Sequence, residues 1–515
     1  MTATATRREW LGLAVLALPT LLLSIDVSVL YLALPTMGKS LHADSTQQLW
    51  ILDIYSFMLA GFLVTMGTLG DRIGRRKLLL AGAAAFGVAS VVAAYSVTAE
   101  MLIVARALLG VAGATIMPST MGLIRHMFRN PQQMGAAIGI WFACFMGGMT
   151  LGPLVGGALL EHFWWGSAFL LGVPFMVLLI AVGPVLLPEF RDTRAGRLDL
   201  TSVALSLAAI LPLIYGLKDL ARHGVSTTAL ATTAAGVAFG IAFTRRQARL
   251  ANPLLDLKLF TNRTFSVALG ILLLGGIVMA GISLMSTMYV QTVNGLSPFA
   301  AGLWLIPQNV AMIAGSIVAP KLAQRFKPAF VMAAGLALST LGVALHTQVS
   351  AHGGMPLLIA GMVLAAGGIS LPMPLGANFV MASTPPEKAG SAASIQETGG
   401  EFGVALGVAL LGSLSTFVYR SQIGHSAPAG LSPEAATSAK DSVAAALATA
   451  HHLPGALGDQ LAEAARSAFT SGLNAVGLAG AIIFAGLTVL AATVLRKVDS
   501  PAPVEEPARE LVAVS

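Results

Sequence analysis

Long apolar runs separated by short polar segments dominate this chain. A run of about 20 apolar residues is long enough for an α-helix to cross the hydrocarbon core of a bilayer. The short segments between the runs hold most of the charged side chains. The pattern therefore predicts fourteen membrane-spanning helices, at 10–34, 48–69, 78–98, 101–124, 134–159, 165–188, 200–220, 227–245, 264–290, 299–320, 329–347, 356–382, 390–418 and 472–495.

The positions of Lys and Arg predict which loops face the cytoplasm. These residues concentrate in alternate loops, and cytoplasmic loops of membrane proteins are enriched in them. An even number of spans with N- and C-termini both cytoplasmic places most of the 30 Lys and Arg residues inside. The basic residues left outside are Lys39, Lys218, Arg222, Arg420, Lys440 and Arg466.

Composition supports an all-α membrane protein. Hydrophobic residues make up 56% of the chain and charged residues 10%, whereas a soluble domain carries about 25% charged residues. The net charge of +7 follows from membrane topology, so no nucleic-acid partner is expected. Cys144 is the single cysteine and excludes an internal disulfide. The first span contains Asp26 and is interpreted as a retained helix, not a signal peptide.

The chain repeats itself at long range. Three features recur at nearly one shared offset: Gly61 with Gly315, Gly113 with Gly367, and Gly148 with Gly403. Transporters are commonly built from such repeats, with the substrate site between them. The repeat predicts a six-helix bundle in residues 1–190 and a second in 263–498, separated by an inserted helix pair within 191–262.

Two further segments have their own predictions. Residues 420–471 form an extracellular loop in which an apolar residue recurs about every fourth position from Leu453 to Phe469. That period favours an amphipathic helix, and we expect a small helical hairpin on the outer side, with an unstructured linker as the alternative. The Pro-rich residues 499–515 are expected to be a disordered cytoplasmic tail.

Charged residues inside the spans are the strongest functional signal. A charge at the bilayer centre costs at least about 2.5–3.5 kcal/mol, so it is tolerated chiefly beside a partner or a polar cavity. Burial disfavours the charged form of a carboxylate, so such an acid can exchange a proton for a cation. The alternative is a structural role, through pairing with the base or capping by Ser and Thr. The residues are Asp26 and Asp53 in the outer half, Glu397 and Glu401 on one helix face in the inner half, and Arg106.

The loop between the second and third spans reads Gly67-Thr-Leu-Gly-Asp71-Arg72-Ile-Gly74-Arg75-Arg76-Lys77. It resembles the signature loop of the major facilitator superfamily. We expect Asp71 to accept from helix N-terminal amides and Arg72 to bridge to the other bundle, which would hold the cytoplasmic side shut in one state. The alternative is that these charges only fix topology.

The fifth span contains Gly148, Gly152, Pro153, Gly156 and Gly157. Glycines at every fourth position let helices approach closely, and Pro153 bends the helix. This motif resembles the antiporter signature of facilitator-superfamily drug exporters, and the segment around Arg106 resembles their fourth-span signature.

With fourteen spans and the segments around Asp26, Asp53 and Glu397, the chain resembles the fourteen-helix branch of drug:proton antiporters. The resemblance implies proton and cation roles for the four acids and export of quaternary ammonium antiseptics and cationic dyes. It also implies a multi-pass, monomeric protein of the bacterial inner membrane, driven by the proton gradient without a cofactor. Gln396 and the Pro307-Gln308-Asn309 segment stand where some relatives carry acids.

Aromatic and Met side chains could stack on aromatic cations, although such residues more often only pack. The candidate substrate-lining residues are Tyr31, Trp50, Tyr55, Phe142, Met146, Trp304, Gln308 and Asn309. Two other functions stay open: a self-resistance exporter of a neutral or anionic natural product, and a non-transporting receptor on the same fold. An ATP-driven pump is disfavoured because the chain has no phosphate-binding loop motif, and neither catalytic nor metal-binding residues are predicted.

Overall fold

The structure is a computed structural model and describes residues 5–128, 130–189, 199–250, 253, 255, 257–384 and 389–497. The regular structure of these residues is entirely helical. Part of the predicted linker before the inserted helix pair and the predicted C-terminal tail lie outside the described residues.

Seven helices build the first six spans. They are α1 (Arg7–Ser40), α2 (Ser45–Ile73), α3 (Arg75–Ala94), α4 (Ala99–Met127), α5 (Pro131–His162), and the sixth span formed jointly by α6 (Ser167–Leu170) and α7 (Gly172–Leu186). The next helices are α8 (Leu200–His223), α9 (Thr227–Arg249), α10 (Arg263–Met288), α11 (Pro298–Arg325), α12 (Pro328–Leu345), α13 (Met355–Ile369), α14 (Pro372–Ala382) and α15 (Ala389–Ser426). The last are α16 (Pro433–Asp441), α17 (Val443–His452) and α18 (Gly455–Val494).

Twelve helical segments of the described chain are long and apolar enough to cross a membrane without a sharp bend. With the bent helices α2 and α5 each counted as one span, they reach the fourteen that the hydropathy pattern predicts. The bend in α5 is 40° between Met149 and Leu151. Pro153 explains it, because a proline cannot donate to the carbonyl four residues earlier.

The helix boundaries follow local capping chemistry. At the start of α2 the Asp44 side chain accepts a hydrogen bond from the Gln47 backbone N–H. The Gln47 side-chain oxygen in turn accepts one from the Asp44 backbone N–H. Thr98 caps α4 through the Met101 amide, and Ser297 caps α11 ahead of Pro298. Such caps satisfy N–H groups that have no partner within the helix.

Helix packing repeats between the two halves of the chain. In the first half α1 packs on α5, α2 on α4, and α3 on α4 and α7. In the second half α10 packs on α15, α11 on α13, and α12 on α13 and α18. These helices are equivalent under the sequence repeat. The two halves contact each other where α2 packs on α15 and where α5 packs on α11. The fold is therefore two six-helix bundles with an inserted pair, as the repeat predicts.

The inserted helices α8 and α9 pack chiefly on each other. Of the two, α8 makes the larger contacts with the rest of the described chain, on α2 and α15. The inserted pair thus covers the seam between the two halves.

The long loop before the last span contains two short helices, α16 and α17, capped by Ser432 and Ser442. Most of the predicted amphipathic repeat lies elsewhere, within α18, where Leu461, Ala465 and Phe469 are buried. This segment continues into the last span because α18, which begins directly after Pro454, contains no proline.

Candidate functional site

Asp26 and Arg106 form an ion pair between α1 and α4. The Arg106 Nη1 lies 2.9 Å from Asp26 Oδ2, and its Nε donates to the Ile51 carbonyl at 3.2 Å. The guanidinium also stacks on the Tyr55 ring, 4.4 Å from its centroid. Arg106 is 1% exposed, so its charge is compensated almost entirely by these groups.

Asp53 on α2 pairs with Lys218 on α8. The Lys218 Nζ donates to Asp53 Oδ2 at 2.7 Å and lies 4.0 Å from the centroid of the Trp50 ring. Both charged side chains are buried. A buried ion pair therefore joins the inserted helix pair to the N-terminal half.

The sequence analysis assigns Lys218 to the outer side, and the structure adds that its side chain is buried against Asp53. The lysine lies near the end of a predicted span, where a long side chain usually reaches the aqueous interface. Here it extends inward instead, because Asp53 and Trp50 offer a carboxylate and an aromatic face. The sequence signal for this ion pair was Asp53, an opposite charge within another predicted span.

Glu397 and Glu401 lie on α15, one turn apart. Glu397 is exposed and Glu401 is half-buried. Neither forms an ion pair or hydrogen bond with another described residue, unlike Asp26 and Asp53. Val404, one turn after Glu401 on α15, lines a cavity together with Asp53 and Arg106, so this part of α15 lies beside the paired acids.

A small cavity connects several of these groups. Its walls come from α1, α2, α4 and α15 and include Tyr31, Asp53, Tyr55, Arg106 and Val404. It lies at the boundary of the two halves. With a volume of about 10 Å³, this polar cavity has room for roughly one water molecule.

The other candidate lining residues are more scattered. Trp304 is 45% exposed, Gln308 is half-buried and Asn309 is buried, all on α11, which contributes no wall to the small cavity. The side chains of Phe142 and Met146 lie outside the described part of the structure.

The glycines of α5 face two different helices. A Cβ added at Gly148 would lie 2.4 Å from the Leu21 carbonyl oxygen on α1, and one at Gly156 would meet Val29, also on α1. A Cβ at Gly157 would instead lie 2.6 Å from the Phe299 Cα on α11, in the other half. Gly152 and Pro153 are buried between these contacts. The motif thus packs α5 against its own bundle and against the opposite one.

The loop at 67–77 is held within the first half. Asp71 pairs with Arg75 at 2.6 Å, and Arg75 donates to the Pro118 carbonyl. Arg76 donates to the carbonyls of Pro184 and Leu187 and lies 3.5 Å from Glu189. Gly67 is half-buried, and Gly74 separates α2 from α3.

Neither contact expected for this loop in one state of the cycle is present in the described part of this conformation. Asp71 bonds to a side chain instead of helix N-terminal amides. Arg72 is exposed and reaches no acid or carbonyl of the second half among the described residues. Contacts across the halves lie toward the opposite end, where Gly157 meets Phe299 and Gly412 meets Leu49.

Comparison with known proteins decides the family. The family model described as Major Facilitator Superfamily matches residues 16–408. The chain belongs to the major facilitator superfamily. It is therefore a membrane transporter and not an enzyme, and it is a multi-pass protein of the bacterial inner membrane.

Two curated relatives cover nearly the whole transporter. The multidrug efflux pump LfrA of Mycolicibacterium smegmatis is 42% identical over 94% of this chain and 95% of its own length. The methyl viologen resistance protein SmvA of Salmonella typhimurium is 35% identical over 90% of this chain and 93% of its own.

A solved structure supports the fold. The bacterial homologue of the human lysosomal transporter Spinster, in an inward-facing and unoccupied conformation, superposes with a TM-score of 0.70 at 16% identity. The match covers 97% of this chain and 100% of the other. At this identity the likeness concerns the fold alone.

Replacing Gly74 with alanine should destabilise the transporter by about 1–3 kcal/mol, the cost of holding a side chain in a sparsely populated backbone region. Gly74 has a φ of 112°, and an added Cβ would collide with the Glu189 carboxylate that lies beside Arg76. Thermal unfolding of the purified protein measures the change. Gly67→Ala is the matched control, since its nearest contact would be an ordinary 3.6 Å to Pro118. Equal stability of the two variants would contradict the prediction.

Proposed function

We propose that this transporter exports lipophilic organic cations from the cell in exchange for protons. One relative is named as a multidrug efflux pump and another for resistance to methyl viologen, a compound with permanent positive charges. The four acids of the site suit such cargo. A carboxylate that has bound a proton is neutral and attracts a cation only weakly, so proton binding and cation binding oppose each other.

The observation that carries the proposal is the division of the acids into two classes. Asp26 and Asp53 each face a buried base, at 2.9 and 2.7 Å. Glu397 and Glu401 have no basic partner among the described residues. An acid in a membrane span without a fixed counter-charge is stabilised by binding a mobile one. We therefore assign proton exchange first to Glu401 and Glu397.

Alternating access supplies the transport cycle. The halves contact each other through α5 and α11 at the end remote from the chain termini. With the termini in the cytoplasm, as the Lys and Arg distribution predicts, this closed end faces outward. The loop at 67–77 would then join the halves only in the opposite state, when Arg72 finds its partner.

The test is efflux of ethidium from energised cells, with and without a protonophore. Wild-type efflux should stop when the proton gradient is removed. Glu401→Gln should lower efflux at least tenfold while leaving thermal stability unchanged, because no buried base loses its partner. Glu463→Gln is the matched control and should export normally, since Glu463 is a half-exposed acid beside His352.

Three results would overturn the proposal. They are the absence of ethidium efflux from wild-type cells, efflux that persists without a proton gradient, and normal export by Glu401→Gln. The first result would favour a neutral or anionic cargo on the same scaffold.

A further inference from the structure

The surroundings of Lys218 have the chemistry of a binding pocket for an organic cation. Its ammonium group lies 2.7 Å from Asp53 Oδ2 and 4.0 Å from the centre of the Trp50 ring. A carboxylate combined with an aromatic face recognises ammonium and quaternary ammonium groups, since the ring presents its negative face to the charge. The pocket is thus already filled, by a cation that belongs to the chain.

Asp53 retains capacity for a second partner. Its Oδ1 is buried and accepts no hydrogen bond from a described residue. The cavity lined by Tyr31, Tyr55 and Arg106 lies beside Asp53. An unpaired carboxylate oxygen next to a cavity is expensive, which favours a site built to receive something over a purely structural contact.

The pocket also has an apolar side that suits a lipophilic body. Phe57, Ile214 and Ala405 form a buried cluster where α2, α8 and α15 meet, and Trp50 and Phe402 pack against it. A larger apolar cleft between α8, α9 and α15 continues past Phe402. An amphiphilic cation could place its charge at Asp53 and its rings along this surface.

Stability alone explains the ion pair poorly. A buried ion pair is often no better for stability than apolar residues of the same size, and α8 already packs through the apolar cluster. Lysine has a flexible stem and a compact charge, so its ammonium can leave Asp53 without any movement of α8.

We propose that Lys218 is a built-in competitor that occupies the cation pocket of Asp53 and Trp50 and is displaced when an exported cation binds. This inference rests on the proposed function. It means that the inserted helix pair takes part in substrate selection. Only a cation whose apolar body gains enough contact can replace the tethered ammonium, so small hydrated cations are rejected.

The test is binding of tetraphenylphosphonium to the purified full-length transporter, measured by isothermal titration. Lys218→Met should bind at least tenfold more tightly than wild type because no internal cation competes. Lys218→Arg should bind no more tightly than wild type. The double variant Asp53→Asn with Lys218→Met should lose the gain, since the carboxylate is absent. Arg246→Gln is the matched control, because it removes another paired cation of the same helix pair, the partner of Asp199 at 2.9 Å, and should leave affinity unchanged.

A second measurement uses the wild-type protein and does not depend on the stability of any variant. Reductive methylation of Lys218, followed by mass spectrometry, should increase when tetraphenylphosphonium saturates the protein, because the amine has left Asp53. Unchanged affinity in Lys218→Met, or methylation that stays constant or falls, would overturn the inference. If ethidium is exported but neither the tighter binding by Lys218→Met nor the increased methylation of Lys218 is seen, only the competitor role of Lys218 is wrong. If neither wild type nor Lys218→Met binds tetraphenylphosphonium, the proposed cation function fails with it.

Discussion

Arg106→Met should abolish efflux and lower the free energy of unfolding by about 3–5 kcal/mol, the usual cost of removing one partner of a buried ion pair. Arg106 is 1% exposed, and its loss leaves Asp26 without its counter-charge. The Ile51 carbonyl loses a donor, and the Tyr55 ring loses the stacked guanidinium. Thermal unfolding of the purified protein and ethidium efflux from cells measure the two effects.

Two further variants separate charge from geometry. Arg106→Lys keeps the charge but cannot bond to Asp26 and Ile51 with one planar group, so we expect it to recover part of the stability and little efflux. The double variant Asp26→Asn with Arg106→Met removes both charges and should be more stable than Arg106→Met alone while exporting nothing. An Arg106→Met protein with wild-type stability and export would disprove the assignment of this pair.

Gly302→Val should stop transport by preventing the contact between α5 and α11. A Cβ at Gly302 would lie 2.3 Å from the Pro153 carbonyl oxygen, and one at Gly157 would lie 2.6 Å from the Phe299 Cα. Both contacts are with backbone atoms, which cannot be relieved by a change of side-chain rotamer. The valine prevents the conformation in which α5 and α11 are in contact. The conformational equilibrium therefore shifts to states in which the two halves are separated at this end.

The shift can be measured as a distance. Spin labels at Glu161 and His352, introduced after replacement of the single cysteine Cys144, report on the separation of the halves at this end. Gly302→Val should lengthen the distance, and efflux should fall below detection. Gly147→Val is the matched control on α5, because an added Cβ there meets no heavy atom of a described residue within 4 Å. An unchanged distance with normal efflux in Gly302→Val would show that this contact is not part of the cycle.

The paired and unpaired acids differ in what their neutralisation does. Removing Asp53 or Asp26 leaves a buried base without its partner, so loss of export would be accompanied by loss of stability. Removing Glu401 leaves no such base among the described residues. Stability measurements are therefore needed beside every efflux assay, since inactivity alone does not identify the proton-carrying residue.

Much of this protein could be predicted from the sequence. The number of spans followed from the length of the apolar runs, because a bilayer leaves a spanning segment almost no structure except a helix of about 20 residues. The repeat predicted the equivalent packing of the two halves. Asp26, Asp53 and Arg106 were identifiable as functional candidates because their charges interrupt apolar spans.

Only the tertiary structure decided which groups meet. Lys218 lies 165 residues from Asp53, and nothing local distinguishes it from a lysine that reaches the membrane surface. The glycine motif of α5 predicted close packing but not that Gly148 faces α1 while Gly157 faces α11. Spans are set by local hydropathy, which a sequence contains directly. Ion pairs and helix contacts depend on how distant helices rotate and dock, and that is fixed only when the whole bundle packs together.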